Sequence, residues 1–277
     1  MSDTGRARRT TLRGDVIDEI AARLADARRV LFLTGAGVSA DAGAPHYRGI
    51  GGLFRDKPSE KGVSMEVAVS ADMLTRRPTL TWTFLKQIEL AGRRATPSVG
   101  HEVLRWFERA LPGALIVTQN IDGLHRAAGA ERVIEIHGNL RDLRCLRCDF
   151  RGSVRDFDAL YVPPACPACK GLLRPDIVMF GEPLPHAPFA RLQAELERGF
   201  DLVLAVGCSS LFPYMARPVL VAKSEGTPTV EITPNQTDLS TIVDLRLAAA
   251  PAHALTRIWK AFKVLVPAAT LTEPRRS

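Results

Sequence analysis

Residues 29–49 read RVLFLTGAGVSADAGAPHYRG, an apolar run that breaks directly into a glycine-rich turn. Gly35 and Gly37 let the backbone turn sharply and approach a phosphate closely. Ser39 is placed to cap the helix that follows, whose first amides would then face an anion. This order of strand, turn and helix start is that of a pyrophosphate site in an α/β protein. The dinucleotide fingerprint is incomplete, because Ala40 stands where a third glycine is expected and no ribose-binding acid follows about 20 residues on. A plain strand-to-helix turn is therefore the alternative that the stretch alone leaves open. Pro45, His46, Tyr47 and Arg48 follow, all able to contact a ribose, a phosphate or an aromatic leaving group. No phosphate-loop lysine follows, so nucleoside triphosphate hydrolysis has little support.

Outward from this turn, the spacing of Val16, Ile17, Ile20 and Leu24 predicts a helix over 15–28. Further strand candidates are ALIVTQN (114–120), RVIEIHG (132–138), DLVLAVGCSS (201–210) and TPTVEIT (227–233), alternating with amphipathic segments. That alternation predicts a parallel sheet covered by helices on both faces. Each candidate strand ends in polar or glycine-rich residues, and ligands of open parallel sheets bind at the carboxyl ends of strands. The alternation stops twice, at about 49–95, which is mostly helical in pattern, and at about 141–175.

The second interruption contains Cys145, Cys148, Cys166 and Cys169, four of the chain's five cysteines, as two Cys-x-x-Cys pairs enclosing 17 residues. Four thiolates at this spacing predict a closed, tetrahedral, structural zinc site. Arg144, Arg147 and Lys170 offset the charge of the thiolates, and Pro164, Pro167 and Gly171 suit tight turns. A thioredoxin-like redox pair fits poorly, since that motif opens a helix after a strand. Cys208, alone at a strand end, reads as a packing residue.

The chain has 277 residues, 46% of them hydrophobic, enough for a large domain with a smaller insertion. Its 37 Lys and Arg against 30 Asp and Glu give a net charge of +7, concentrated only at Arg6, Arg8, Arg9 and Arg13. This basic N-terminal segment reads as a solvated tail. It lacks the apolar core of a signal peptide, and no run of about 18 apolar residues suits a membrane helix. A soluble, cytoplasmic protein with no membrane contact is expected, and nucleic-acid contact is not. In a reducing compartment the cysteines favour metal over disulfides.

At the strand ends, TQNIDGLH brings Gln119, Asn120 and Asp122 together, and IEIHG brings His137 to the next strand end. Amide side chains can hold ribose hydroxyls or a carboxamide, and a histidine can serve as a general base. A structural histidine is the alternative for His137. His101 and His125 lack such a setting and read as structural or surface residues.

Taken together, GAGVSADAGAPHYRG, TQNIDGLH, the HG before the cysteine segment, RPDIVMFGEPLP and GCSS resemble, in order and separation, the sirtuins, a family of NAD-dependent protein deacylases. The resemblance covers about residues 15–260. It implies a Rossmann-like domain (15–48, 96–140 and 176–262) and a small domain of helical insertion and zinc ribbon (49–95 and 141–175). An N-terminal tail (1–14) and a C-terminal tail (263–277) flank them. NAD as cosubstrate and an acyl-lysine protein or peptide would meet in the cleft between the domains. By this resemblance Gly35, Ala36, Gly37 and Ser39 line the phosphate and ribose path, and Tyr47 and Arg48 lie in the cofactor loop. Gln119 holds the ribose, Asn120 and Asp122 bind the nicotinamide side, and Gly207 and Ser209 face the adenosine half. Val178, Phe180 and Gly181 flank the acyl-lysine, whose peptide adds a strand by backbone pairing. The resemblance makes His137 the general base: the acyl oxygen attacks the anomeric carbon, nicotinamide leaves, and His137 removes a proton from a ribose hydroxyl so that it attacks the resulting imidate, the products being free lysine, nicotinamide and acyl-ADP-ribose.

Three positions depart from the family's pattern: His46 for a common aspartate, Thr233 for an asparagine, and Cys208 for a threonine or serine. Leu85 and Ile88 stand where sirtuins that remove acidic acyl groups carry a tyrosine and an arginine, so a neutral acyl chain is expected. A protein mono-ADP-ribosyltransferase and an NAD-sensing binding module are the rival readings.

Overall fold

The computed structural model describes residues 13–43, 63–208, 212–268 and 271. Helix α1 (Arg13–Asp26) precedes strand β1 (Val30–Thr34), which passes through Gly35 into the single-turn helix α2 (Ala36–Ser39). Next among the described residues come α3 (Met65–Ala68), α4 (Ala71–Arg76), α5 (Pro78–Gly92), α6 (Val99–Ala110), β2 (Leu115–Thr118), α7 (Leu124–Ala127) and β3 (Val133–Glu135). Strands β4 (Gly138–Cys145), β5 (Arg151–Ser153) and β6 (Leu173–Ile177) then follow one another. The alternation resumes with α8 (His186–Glu197), β7 (Leu202–Val206), α9 (Pro213–Ser224), β8 (Thr229–Ile232), β9 (Leu245–Leu247) and α10 (Pro251–Leu265).

Six of these strands form one parallel sheet in the order β3-β2-β1-β7-β8-β9. All five residues of β1 and all five of β7 are buried, as central parallel strands covered on both faces require. One face packs on α1, α6 and α10, with Phe107 against Phe32, Trp259 and Phe262. The other face packs on α8 and α9 through Leu192, Met215 and Val219. The chain lays β1, β2 and β3 outward, then returns to the far side of β1 as β7. The order of strands therefore reverses between β1 and β7, and a crevice opens there at their carboxyl ends.

A second sheet, antiparallel in the order β5-β4-β6, has its own core with α3, α4 and α5. Trp82 on α5 joins the helical and cysteine-bearing segments: its ring lies 5.4 Å from that of Phe157, and its Nε1 donates to the Leu173 carbonyl at 3.0 Å. Truncating so large a buried side chain typically costs about 3–5 kcal/mol. Leu85 and Ile88 lie buried in this core. No helix among the described residues is long and apolar enough to cross a membrane.

Candidate active site

The floor of the crevice is backbone. Gly37 N–H donates to the Gly207 carbonyl at 2.9 Å and Gly35 N–H to the Val206 carbonyl at 3.3 Å, which draws the turn after β1 onto the end of β7. Gly207 has φ +65°, in the left-handed region that glycine adopts without strain. Gly35 occupies the N-cap of α2 and Ala36 its first position. Ser39 is not the cap expected from the sequence. It lies at the last residue of α2, because the helix begins three residues earlier, and its hydroxyl is used elsewhere.

That hydroxyl donates to Asp122 Oδ2 at 2.7 Å and accepts from Asn120 Nδ2 at 3.0 Å; Asn120 also donates to the Gly35 carbonyl at 3.1 Å. Asp122 Oδ1 in turn accepts from Leu124 N–H at the start of α7. Ser39, Asn120 and Asp122 therefore converge, across more than 80 residues of chain, beside the glycine floor. His101 reaches the same hydroxyl. Its Nδ1 accepts from Ser98 N–H at 3.2 Å, so the proton sits on Nε2, 3.4 Å from Ser39 Oγ. His101 and His125 are both buried, with rings 4.8 Å apart, so of the two roles open to them the structure selects the structural one. Burial lowers the His101 pKa to about 4, against a smaller opposing pull from Asp122.

His137 lies where the chain crosses from the large sheet to the small one, between β3 and β4. Its Nδ1 is 2.9 Å from the Gln119 carbonyl oxygen, which can only accept. Nδ1 therefore carries the proton and Nε2 offers a lone pair. Burial holds the His137 pKa below the ordinary imidazole value, partly opposed by the Gln119 carbonyl. Gln119 is itself placed by its N–H, which donates to the Thr34 carbonyl at 3.1 Å. Where β6 ends, the chain returns to the same point: Val178 N–H donates to the His137 carbonyl at 2.9 Å.

The segment after Val178 is pinned from two sides. Phe180 exchanges main-chain bonds with Val69 and Ala71 at 3.2 Å each. Arg174, only 2% exposed, donates to both carboxylate oxygens of Glu182 and to the Ile177 carbonyl. Gly181 has φ +84° and open space where a Cβ would stand. Val178 thus lies beside His137, and Phe180 and Gly181 follow it in the pinned segment. Tyr47, Arg48 and Ser209, together with His46, lie outside the described residues. Cys208 is buried, and its thiol, pushed up to about 12 by burial, packs against the Leu33 and Val206 carbonyls.

The four remaining cysteines gather at the far end of the small sheet, with every Sγ within 4.8 Å of the others. Cys145 and Cys169 Sγ are 3.5 Å apart and Cys148 and Cys166 Sγ 3.7 Å. Tetrahedral zinc with bonds of about 2.3 Å requires sulfurs about 3.8 Å apart, whereas a disulfide requires about 2 Å. The donor set therefore fits zinc. Backbone N–H groups of Arg147 and Gly171 point at Cys145 and Cys169 Sγ, as they do toward thiolates. Four protein ligands leave no position for a substrate, so the site is structural.

With this geometry in hand, comparison with known proteins is decisive. A family model described as "Sir2 family" matches residues 35–212, from the first glycine of the turn to the start of α9. The chain belongs to the Sir2 family. Among its relatives, NAD-dependent protein deacylase 2 of Pseudomonas aeruginosa is 44% identical over 245 residues, 87% of this chain and 95% of the relative. NAD-dependent protein deacylase 1 of Caldanaerobacter subterraneus is 35% identical over 79% of this chain and 87% of its own length. The crystal structure of a Sir2 homologue–NAD complex superimposes with a TM-score of 0.80 at 30% identity, covering 90% of this chain and 95% of that one. A Sir2 variant solved with a deacetylated p53 peptide and 3′-O-acetyl ADP-ribose gives 0.76 at 28% identity, covering 88% and 97%. NAD is accordingly the cosubstrate of this sirtuin, and the Rossmann-like sheet with its zinc ribbon is the family's fold.

Two residues beside His137 escaped the sequence reading. Phe212 and Tyr214 bracket Pro213 at the start of α9, and both rings face His137. The aromatic pair in LFPYM, just after GCSS, was the available signal. His101, read as structural or surface, stands in the capping box of α6, where Glu or Gln is the usual partner of the N-cap serine.

Proposed function

We propose that His137 is the general base of this NAD-dependent protein lysine deacylase, and that NAD and an acyl-lysine meet over the β1–β7 crevice. The observation that carries this reading is the bond from His137 Nδ1 to the Gln119 carbonyl, which leaves Nε2 as a desolvated acceptor at a strand end. NAD would supply the ribose carbon that the acyl oxygen attacks as nicotinamide leaves, and the ribose hydroxyl that takes up the acyl group. Gly35, Ala36, Gly37 and Gly207 offer the pyrophosphate a floor without side chains. Gln119, Asn120, Asp122 and Ser39 orient the nicotinamide ribose. His137 Nε2 accepts the proton of a ribose hydroxyl, and Val178, Phe180 and Gly181 pair with the peptide carrying the acyl-lysine. Tyr47, Arg48 and Ser209 complete the cofactor contacts in this reading. Cys145, Cys148, Cys166 and Cys169 would hold the zinc that braces the wall opposite.

Leu85 and Ile88, apolar and buried in the second core, support a neutral acyl preference. A desuccinylation rate equal to deacetylation on one peptide would overturn it.

The test is incubation with NAD and an acetyl-lysine peptide, with and without His137→Ala, read by mass spectrometry of peptide and small molecules. NAD-dependent loss of acetyl, with acetyl-ADP-ribose formed and a rate lowered about 10²- to 10⁴-fold in the variant, is expected. ADP-ribose on a protein instead would favour the transferase, and no NAD consumption would favour the binding module.

A further inference from the structure

The imidazole of His137 has a neighbour that this scheme does not use. Tyr214, on the first turn of α9, directs its hydroxyl at His137 Nε2, the atom on which the base reading depends. Since Nδ1 donates to the Gln119 carbonyl, Nε2 can only accept, and the phenol O–H is the donor. An unprotonated ring nitrogen has a single in-plane lone pair, so this bond and one from a ribose hydroxyl cannot both be made well.

The phenol is held for this contact. Phe212 lies flat on the Tyr214 ring, with centroids 5.4 Å apart and planes 4° from parallel, and meets the His137 ring edge-on at 5.6 Å. Pro213 between them opens α9, and the Phe212 carbonyl accepts from Met215 and Ala216 N–H at 2.8 and 3.0 Å. Among the described residues the groups facing the imidazole are thus the Gln119 carbonyl, the Phe212 ring and the Tyr214 phenol, all uncharged. Burial pushes the phenol up to about 12, so it stays a neutral donor through the physiological range.

We propose that Tyr214 is a positioning residue that caps the base of the ligand-free enzyme: its hydroxyl holds His137 in the proton-accepting tautomer and gives up Nε2 when the ribose hydroxyl of NAD arrives. The inference rests on His137 being the base. On binding, one hydrogen bond to Nε2 replaces another; the ribose proton then passes to Nε2 and Tyr214 keeps its own. A bare Nε2 would instead be solvated or would let the ring turn over.

The test uses the full chain and Tyr214→Phe, which retains the ring and its stacking and removes only the hydroxyl. In wild-type protein labelled with ¹⁵N-histidine and free of ligand, the His137 signals should show a protonated Nδ1 and an unprotonated, hydrogen-bonded Nε2; addition of NAD should perturb Nε2. In the variant, the Nε2 signal should move in the absence of NAD. Because the phenol competes with the ribose, the variant's KM for NAD should fall by about fivefold, the worth of one ordinary net hydrogen bond. The phenol O–H favours neutral imidazole in the free enzyme alone. Its loss should therefore shift the acid limb of kcat/KM to higher pH and leave the limb of kcat in place. A tenfold or greater drop in kcat with KM and the free-enzyme limb unmoved would mean that Tyr214 relays the proton, and overturns capping. A wild-type Nε2 signal without a hydrogen bond would overturn it independently of any variant. Full activity of His137→Ala would remove the base reading itself, a separate result from either of these.

Discussion

Gly37 and Gly207 meet backbone to backbone at the reversal of strand order: a Cβ on Gly37 would lie 2.7 Å from Gly207 Cα, and one on Gly207 would lie 2.7 Å from Val38 N. Both contacts are with main chain, which cannot swing aside. Gly207→Ala should lose stability by about 1–3 kcal/mol from strain at φ +65° and the clash together. It should also raise KM for NAD more than KM for the peptide, because the proposed site sets the cofactor on this floor. Thermal unfolding and two-substrate kinetics check this; equal rises in both KM values would sink the assignment of the floor to NAD.

The pH dependence of the rate follows from the desolvation of His137. A general base at His137, as proposed, works when neutral, and burial lowers the His137 pKa from the ordinary 6.5. The deacylation rate should therefore be flat from about pH 7 upward and fall only on acidification below the ordinary histidine range. A profile of kcat/KM between pH 5 and 8.5 measures it. An acid limb centred at or above pH 7 would contradict a desolvated base.

His101 makes stability pH-dependent in the same direction. Its folded-state pKa, about 4, is below the unfolded value of 6.5, chiefly through burial. The unfolded chain therefore binds the proton first, and stability that is full above pH 6.5 is lost as pH falls toward 4, on the order of 3 kcal/mol from this ring. His101→Gln should flatten the wild-type fall in melting temperature over that window. Parallel melting curves for the two proteins would refute the linkage.

One zinc ion per chain is expected by elemental analysis, released by strong chelators. Cys166→Ser should lower zinc occupancy and melting temperature together. Gly171→Ala should do the same more weakly, because its Cβ would press within 3.3 Å of both Cys145 and Cys169 Sγ. Unchanged zinc content in Cys166→Ser would argue against four-sulfur ligation.

The parts of this protein legible in the sequence are those written locally. The apolar run Val30–Leu33 with its glycines, the polar strand ends and the paired cysteines each lie within a few residues of one another, so spacing alone gave the parallel sheet and the metal ligands. The role of Ser39 was not written locally. A serine three residues past a glycine turn looks like a cap, and only the folded chain brings Asp122, 83 residues away, to its hydroxyl. The Tyr214 contact spans 77 residues and depends on β7 returning beside β1, which no periodicity encodes. His46, Tyr47, Arg48 and Ser209 fall outside the described residues and rest on resemblance.

Strands β4 and β6 connect the two chemical ends of the small sheet. Gly138 pairs with Ile177 beside His137, and Cys145 pairs with Leu173 at the cysteine cluster, with an irregularity of register between Asn139 and Leu143. Side chains alternate faces along a strand, so gaining or losing one residue would turn a cysteine away from its partners or Val178 away from His137. The segment is therefore a ruler: beyond Gly138 and Cys145, whose identities are fixed by backbone contact and by the cysteine cluster, its length constrains it more than its residues do. At 140–142 the register with β6 already slips, so a change of length there would disturb that pairing least, although Asp142 still pairs with Ser153 on the other side.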